Sequence, residues 1–511
     1  MKKLLFVDHA FHTATASSQF FIDLLRTRFE VTVLNIAPPA DLPSEALDVA
    51  RGADVVVVWQ MDYLAPVFLA LGLPTVVIPM YDGSAHQTDL HWIWSHQAQF
   101  VNFSFTLHHR IRSVGGRSRL VKYFKPPAPE SQTATFADGL KVFLWQRRPE
   151  HGINAPAFKH LLGSQMRALH VHDAPDEPQL DTMKYRVAST PDCAVTRTTW
   201  FPKAADYQTA LSQCNVFIAP RRAEGIGMAM LEAMSRGMLV IATDEPTHNE
   251  YLSNWTNGIL YNPDAEGSIS IRHAERMGAA AHATVREGHA LWKQQAVSVL
   301  ELIDASPAPH PTEIDDIPSF ASALSKAYYG GHAIYTDFML RHSKLISDMS
   351  GVDLTGKLDA NGKVSDRSTK PPEAERRAPW LTGGRIPVSP LQFSDHVRDG
   401  EVAHVDGVAW VVGHELSAAF HIDPFAELLG GLRLRLHLPH SGGAAQTVLI
   451  SLNGWTLGVT SLDSAGATVT YDIPAHVLSG DNLLRLQATS LGEVAGIGRA
   501  VSVGLSEIAF S

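Results

Sequence analysis

The chain has 511 residues, 45% hydrophobic and 18% charged; at about 100–200 residues per domain that is material for roughly two to four cores, which excludes a single small module and a disordered chain. Lys and Arg number 42 against 52 Asp and Glu, a net charge of −10, so no basic footprint for a nucleic-acid backbone is expected. Two cysteines, Cys193 and Cys214, cannot build a disulfide framework and point to a reducing, cytoplasmic setting. The apolar run before Asp8 is short for a signal peptide. The longest apolar stretch, Leu64–Met80, is broken by Pro66, Gly72, Pro74 and Pro79, and reads as core rather than a membrane span.

Over residues 1–130, β-rich runs alternate with amphipathic stretches, as in a parallel sheet covered by helices. Strands are predicted at Lys3–Val7, Val31–Ile36, Asp54–Trp59 and Thr75–Pro79, and a helix within Ser18–Phe29. The Pro-rich hinge Lys125–Pro129 closes this block. The pattern restarts over 131–305 with strands at Val142–Trp145, Ala168–His172, Asn215–Ala219 and Leu239–Ala242 and a last helix at Val285–Asp304. A helical segment at about Phe320–Met349 occupies 306–350, and 351–384, with 11 charged residues in 34, reads as a solvated linker. In 385–511 the period becomes two, strictly so at Leu432–Leu438, with further short strands at Val448–Leu452, Thr468–Ile473, Leu483–Ala488 and Val501–Leu505. This tail has no lysine, 6 Arg and 12 acidic residues, and reads as an antiparallel sandwich or jelly roll.

The densest chemistry lies in Val216–Asp244: a buried strand, a loop with Glu224, Gly225, Ile226 and Gly227, a helix from Met228 through Glu232 ending at Gly237, and another buried strand. Gly225 and Gly227 permit close backbone approach to a ligand at a helix N-terminus, where free N–H groups receive anions or hydroxyls. Ligands of open α/β sheets bind at strand carboxyl ends, where Glu224 stands. The histidines, 25 in all, lack zinc-site spacing: neither His9 with His12 nor His108 with His109 supplies it, and no Cys pair helps. No metal or cofactor is expected.

Glu224 and Glu232 have the spacing of the Glu-x7-Glu signature, and the segment resembles the retaining nucleotide-sugar glycosyltransferases of family four. Asp244–Leu252 and Asn257–Tyr261 resemble the downstream part of the same pattern. The resemblance covers about Met1–Asp304 and is strongest over Val216–Pro263. It implies an α/β GT-B fold, two facing Rossmann-like domains with the donor in the cleft between them: 1–130 for the acceptor and 131–305 for the donor. Glu224 and the amides of Gly225–Met228 would hold the donor sugar's hydroxyls, and Glu232 would accept from the ribose. Carboxylates suit both tasks as acceptor-only groups. The leaving diphosphate needs a cation; Arg147 and Arg148 stand where the family keeps its phosphate-binding Arg, and either could serve. The family's following Lys is absent, leaving His151 or Lys159 as substitutes. Trp200 and Phe201, in Thr199–Pro202, could wall the nucleobase.

In the first domain, His12 and Thr13 occupy the place of the family's Gly-Gly turn near the diphosphate. Tyr81 and Asp82 occupy the place of its His-Asp, with Tyr81 replacing the His beside the reacting sugar. His86, His91, Trp92, Trp94 and His96 form a polar and aromatic set suited to acceptor sugars, with His12, His86 and Trp92 as acceptor-side candidates. In the tail, Leu449–Gly458, Tyr471–Pro474 and Ser479–Leu484 resemble the galactose-binding-like jelly rolls of carbohydrate enzymes, which implies a structural or oligomerising sandwich or, alternatively, glycan capture, with Trp410 and Trp455 as stacking platforms or as core.

The resemblance therefore implies a metal-independent retaining hexosyltransferase with a nucleotide-sugar donor and a glycan, lipid-linked or protein-linked acceptor. It would be cytoplasmic, with peripheral attachment at the inner membrane left open, and would have no nucleic-acid partner. The alternatives are a nucleotide-sugar epimerase of the same fold and a non-catalytic glycan-binding scaffold.

Overall fold

A computed structural model describes residues 1–37, 42, 44–177, 179–201, 203–264, 267–310, 312, 314–359, 361–364, 379, 381, 384–422, 430–439, 446–462, 466–473, 477–478 and 481–511. Residues 365–378 of the expected linker, and Pro202, Pro474, Ser479 and Gly480 of the quoted motifs, lie outside the described residues. The chain packs as two units, Met1–Lys122 with Gln295–Pro372, and Tyr123–Gln294 with Glu373–Ser511.

In the first unit the described residues form a parallel sheet of β1 (Lys3–His9), β2 (Glu30–Ile36), β3 (Val55–Trp59), β4 (Thr75–Ile78), β5 (Gln99–Asn102) and β6 (Arg117–Leu120). Their order is β2-β1-β3-β4-β5-β6. The run of valines in β3 is buried throughout, as a central parallel strand with both faces covered must be. The expected helical segment after residue 306 is three helices, Ile317–Tyr329, His332–Arg341 and Ser343–Ser350. The first break falls at Gly330-Gly331, where Gly331 takes φ +102°, a conformation open mainly to glycine. Leu324, Tyr335, Met339, Ile346 and Met349 of these helices share one apolar core with Phe68, Trp92 and Phe100 of the sheet region.

The second unit contains β7 (Leu140–Trp145), β8 (Met166–His172), β9 (Ala194–Thr198), β10 (Val216–Ile218), β11 (Leu239–Thr243) and β12 (Ile259–Tyr261). They form a parallel sheet in the order β12-β11-β10-β7-β8-β9. This is the doubly wound Rossmann order. The last helix starts earlier than predicted and runs Ala274–Asp304.

Its C-terminal part is all-β. The described strands are β13 (Arg385–Ile386), β14 (Val397–Val405), β15 (Val408–His421), β16 (Gly431–His437), β17 (Gln446–Leu452), β18 (Trp455–Leu462), β19 (Ala467–Asp472), β20 (Asp481–Ala488) and β21 (Val501–Phe510). They make one antiparallel sheet with β18 and β19 at the ends of its main path. The sheet curls until these ends meet, giving a nearly barrel-shaped domain: the Tyr471 hydroxyl of β19 bonds the Thr460 hydroxyl of β18, and its ring covers Gly458, where a Cβ would lie 2.4 Å from it. Trp410 and Trp455 are only 4% and 8% exposed. Of the two readings open for them, stacking platform and core, their burial is that of core residues.

The barrel is sewn to the second parallel sheet. Thr456 of β18 donates its hydroxyl to the Glu250 carbonyl, and Ser253 donates to the Thr456 carbonyl. Leu291 of the long helix packs on Leu449 and Val459 of the barrel. His248, next to this seam, is fully buried with Nδ1 at 3.1 Å from the Thr243 hydroxyl. Among the described residues no helix is long and apolar enough to cross a membrane.

Truncating Leu291 to Ala should destabilise the second unit by about 2–5 kcal/mol, the usual range for a buried Leu, measured as a shift in urea midpoint. Burial pulls the His248 imidazole down to about 4, so below its ordinary value near 6.5 the unfolded chain binds a proton that the folded chain refuses. Stability from this group is complete above pH 6.5 and is lost as pH falls toward 4. The loss in melting temperature between pH 7 and pH 5 should be smaller in His248→Asn than in the parent.

Candidate active site at the sheet switch points

In an open parallel sheet the ligand crevice lies outside the carboxyl ends of the two strands where the order turns back. In the second unit those strands are β7 and β10, which pair in parallel through Val216 opposite Val142 and Ile218 opposite Leu144. The loop after β7 carries Gln146, Arg147 and Arg148, and the loop after β10 carries Arg221 to Gly227.

The β7 loop is clipped by one carboxylate. Asp176, in the loop after β8, accepts the Nε–H of Arg147 at 2.8 Å and of Arg148 at 3.1 Å. Its own backbone N–H donates to the Arg147 carbonyl at 3.0 Å. The clip uses one N–H of each guanidinium fork. Arg147 also lies 5.1 Å over the Trp145 ring, a cation–π contact that holds the fork flat. Buried Gln146 receives the Ala155 N–H on its side-chain oxygen, fixing the start of the next helix.

The β10 loop ends in Gly227 at φ +80°, ψ +46°, immediately before the helix Met228–Ser235. A Cβ there would lie 3.1 Å from the Met230 methyl, and the left-handed backbone itself favours glycine. The first turn of this helix presents N–H groups beyond the reach of its own ladder. Glu224, mostly buried, lies 3.8 Å from Arg221, and its carbonyl accepts the Thr247 hydroxyl at 3.3 Å. Arg222 ties the two loops together, donating Nε–H to the His151 carbonyl at 3.0 Å and both terminal amines to Asp264 at 2.8 and 2.6 Å.

Glu232, about one turn into the helix, is paired with Lys125 of the Pro-rich hinge and with Arg236, one turn further on, at 3.2 Å. Burial, with Arg236 adding repulsion, pulls the Lys125 ammonium down to about 8. Beside the β7 loop an aromatic group gathers at the ends of β7 and β8. Phe201 stacks on His172 at 4.7 Å and 7°, and Trp200, 50% exposed, meets Trp145 edge-on at 5.9 Å. Burial, with His170 adding, pulls the His172 imidazole down to about 4, so this wall is uncharged at neutral pH.

The structure thus brings Arg147, Arg148, His151, Glu224, Gly225–Met228 and Glu232 to loops or the helix at this switch point, while Phe201 follows the edge strand β9 and stacks on His172 at the end of β8. Lys159 is a correction. Its ammonium is engaged by the Ala188 carbonyl at 3.0 Å, in the chain ahead of β9, and it falls in the last turn of the helix Ala155–Leu162. Asp176, Trp145, His172 and Lys125 were missed. Trp145 adjoins the arginine run and could have been read from it; Asp176 is 28 residues beyond Arg148 in a loop without a motif.

In the first unit the order turns back between β1 and β3. After β1, buried Asp8 accepts from His12 Nδ1 at 2.5 Å and from the Ser18 hydroxyl at 2.5 Å, and Thr13 is exposed. Tyr81 and Asp82 open a four-residue helix, Tyr81–Ser84, directly after β4. His86 is exposed, 5.8 Å ring to ring from His332. Trp92 is only 1% exposed; the helices of 317–350 cover it, so it is core and not an acceptor platform, which corrects that expectation. Trp94 and His91 are buried likewise.

Residues 156–274, a stretch that includes Glu224 and Glu232, match the family model described as Glycosyl transferases group 1. No curated protein matches the sequence significantly. Among solved structures, Anabaena Alr3699/HepE in complex with UDP-glucose is similar at 14% identity and a TM-score of 0.41, over 59% of this chain and 100% of that one. The sucrose-phosphate synthase of Thermosynechococcus elongatus is similar at 12% identity and a TM-score of 0.38, over 68% and 100%. A family 35 carbohydrate binding module from Clostridium thermocellum is similar at 14% identity and a TM-score of 0.17, over 23% and 91%. The match to the group 1 model thus falls on the second of two six-stranded parallel, Rossmann-like sheets, in a chain that also carries an antiparallel β tail.

Proposed function

We propose that the chain is a metal-independent, retaining hexosyltransferase that moves a sugar from a nucleoside-diphosphate donor to a glycan or to a lipid- or protein-linked acceptor. The observation that carries this reading is the pairing, at one switch point, of the Arg147–Asp176–Arg148 clip with the Gly225–Met228 helix start, inside or directly before the group 1 match. Two guanidinium forks and a helix N-terminus together suit a diphosphate and the hydroxyls of the sugar it carries.

In this reading the acceptor hydroxyl attacks the anomeric carbon from the face the diphosphate leaves. The bond from that carbon to the diphosphate oxygen breaks, and the departing oxygen takes the acceptor's proton. Arg147 and Arg148 stabilise the charge that grows on the leaving group, an effect strongest in a preorganised site. Asp176 supplies the preorganisation by holding each Nε. Glu224 takes sugar hydroxyls. Glu232 takes the ribose hydroxyls: a carboxylate offers about four acceptor positions, and Lys125 and Arg236 use only part of them. The neutral wall of Phe201, His172, Trp200 and Trp145 faces the base. No protein nucleophile is required.

Nucleotide-sugar turnover tests the assignment. The Arg147→Ala/Arg148→Ala pair and Glu224→Ala should each lower kcat by about 10²–10³-fold, the scale set by losing a preorganised charge-stabilising group. Glu232→Ala should act on the donor KM, by about tenfold or more for a lost bond to a charged acceptor. Undiminished turnover in all three variants sinks the assignment. Thermal melting with UDP, GDP and ADP in turn should show one that stabilises the protein, by about 2.7 kcal/mol at a hundredfold excess over its Kd; a melt unchanged by all three contradicts a donor site of this kind. A changed sugar formed from donor alone would instead identify an epimerase.

A further inference from the structure

We infer that Asp62, His91 and Tyr335 form a positioning relay by which the helix His332–Arg341 sets the turn carrying Tyr81 and Asp82, an inference that rests on the sugar-transfer reading above. Asp62 stands just after β3, at the switch point of the first sheet, where Gln60 turns the chain at φ +58°. Both carboxylate oxygens of Asp62 are engaged: Oδ1 accepts the Ser84 hydroxyl at 2.9 Å, and Oδ2 lies 2.6 Å from His91 Nε2. The other ring nitrogen, Nδ1, lies 2.9 Å from the Tyr335 hydroxyl. Asp62, Ser84, His91 and Tyr335 are all at most 3% exposed.

The hydrogens follow from the donor inventory. The Asp62 oxygens accept, Oδ1 from Ser84 and Oδ2 from His91, which puts the His91 hydrogen on Nε2. Burial pushes the Tyr335 phenol well above its ordinary range, so it keeps its proton and donates to Nδ1. This chain of donors, Tyr335 to His91 to Asp62, selects one imidazole tautomer. The ring is also held edge-on against Trp92 at 4.5 Å and 87°, and against Tyr335 at 5.8 Å and 70°.

The output of the relay is Ser84. It ends the helix Tyr81–Ser84, a single turn in which the Gly83 and Ser84 N–H groups donate to the Met80 carbonyl and the Ala85 N–H to the Tyr81 carbonyl. One turn does not hold itself in water. Tyr81 packs on the core of the first unit, and the bond from Ser84 to Asp62 ties the other end of the turn to the end of β3. Buried polar groups must be paired or they cost stability, and here the pairing reaches from the end of β3 to a helix more than 240 residues later.

Tyr335→Phe removes only the hydroxyl and keeps the ring that fills the core. With the full chain labelled at histidine nitrogen, the His91 Nδ1 resonance is expected to move in this variant, Nε2 remaining the protonated nitrogen. Sugar transfer should lose about tenfold in kcat, the scale of a displaced supporting bond, with donor KM and nucleotide affinity unchanged. Ser84→Ala, which cuts the output arm and leaves the imidazole pairing in place, should give the same loss in kcat. A protonated Nδ1 in the parent, an unmoved resonance in Tyr335→Phe, or full kcat in both variants overturns the relay. If the parent chain transfers no sugar, the function reading fails by itself. The His91 resonance still decides the relay, a moved signal supporting it and an unmoved one overturning it.

Discussion

A parallel strand cannot return directly to its neighbour; it needs a crossover, so all the carboxyl ends of a parallel sheet lie along one edge. Where the order of strands turns back, the two flanking loops diverge to opposite faces and leave a crevice between them. Every placement in the candidate site depends on that constraint. In the second unit it sets the arginines after β7 beside the glutamate and glycines after β10, although 76 residues of sequence separate Arg148 from Glu224. In the first unit it sets Asp8 and His12 near the turn that follows β3.

Charge in these loops is organised by a few carboxylates. Asp176 holds two guanidiniums, Asp264 accepts two amines of Arg222, and Glu232 meets Lys125 and Arg236. Such pairs add little stability where they are exposed, but in partly buried loops they fix the direction of each donor. The tail contributes differently. Its two tryptophans are spent on its own core, and β18 is spent on the seam with the second sheet, so its aromatic residues support packing.

Much of this was legible in the sequence, and what was not has a physical reason. The β10–helix–β11 run announced itself because buried strands, a Gly-rich turn and a largely apolar helix stand in direct succession. The edge strands did not: β6 reads Arg-Ser-Arg-Leu and β9 reads Ala-Val-Thr-Arg-Thr, and with polar residues along them only pairing to a neighbour makes them strands. Lys159 was at a plausible distance along the chain, but a helix rotates and carries its residues from one end of the sheet toward the other. Trp92 looked available because the helices that bury it lie more than 220 residues later. Asp62 and His91, 29 residues apart and paired only in the fold, carried no motif, and Tyr335 joins them from 244 residues further on.

That late arrival bears on how the protein is made. The core of the first unit includes Leu324, Tyr335, Met339 and Met349, so a nascent chain holding only residues 1–122 has strands without their full cover. The second unit opens at Tyr123 but meets its barrel partners only at Leu449, Thr456 and Val459. On the ribosome, then, neither half is complete when its sheet has been synthesised, and both expose apolar surface for much of translation, the condition under which chaperones are most engaged. A fragment ending near residue 122 or near residue 294 lacks part of the core it would need, whereas one ending shortly after residue 350 contains the first unit's core and leaves the second without its barrel.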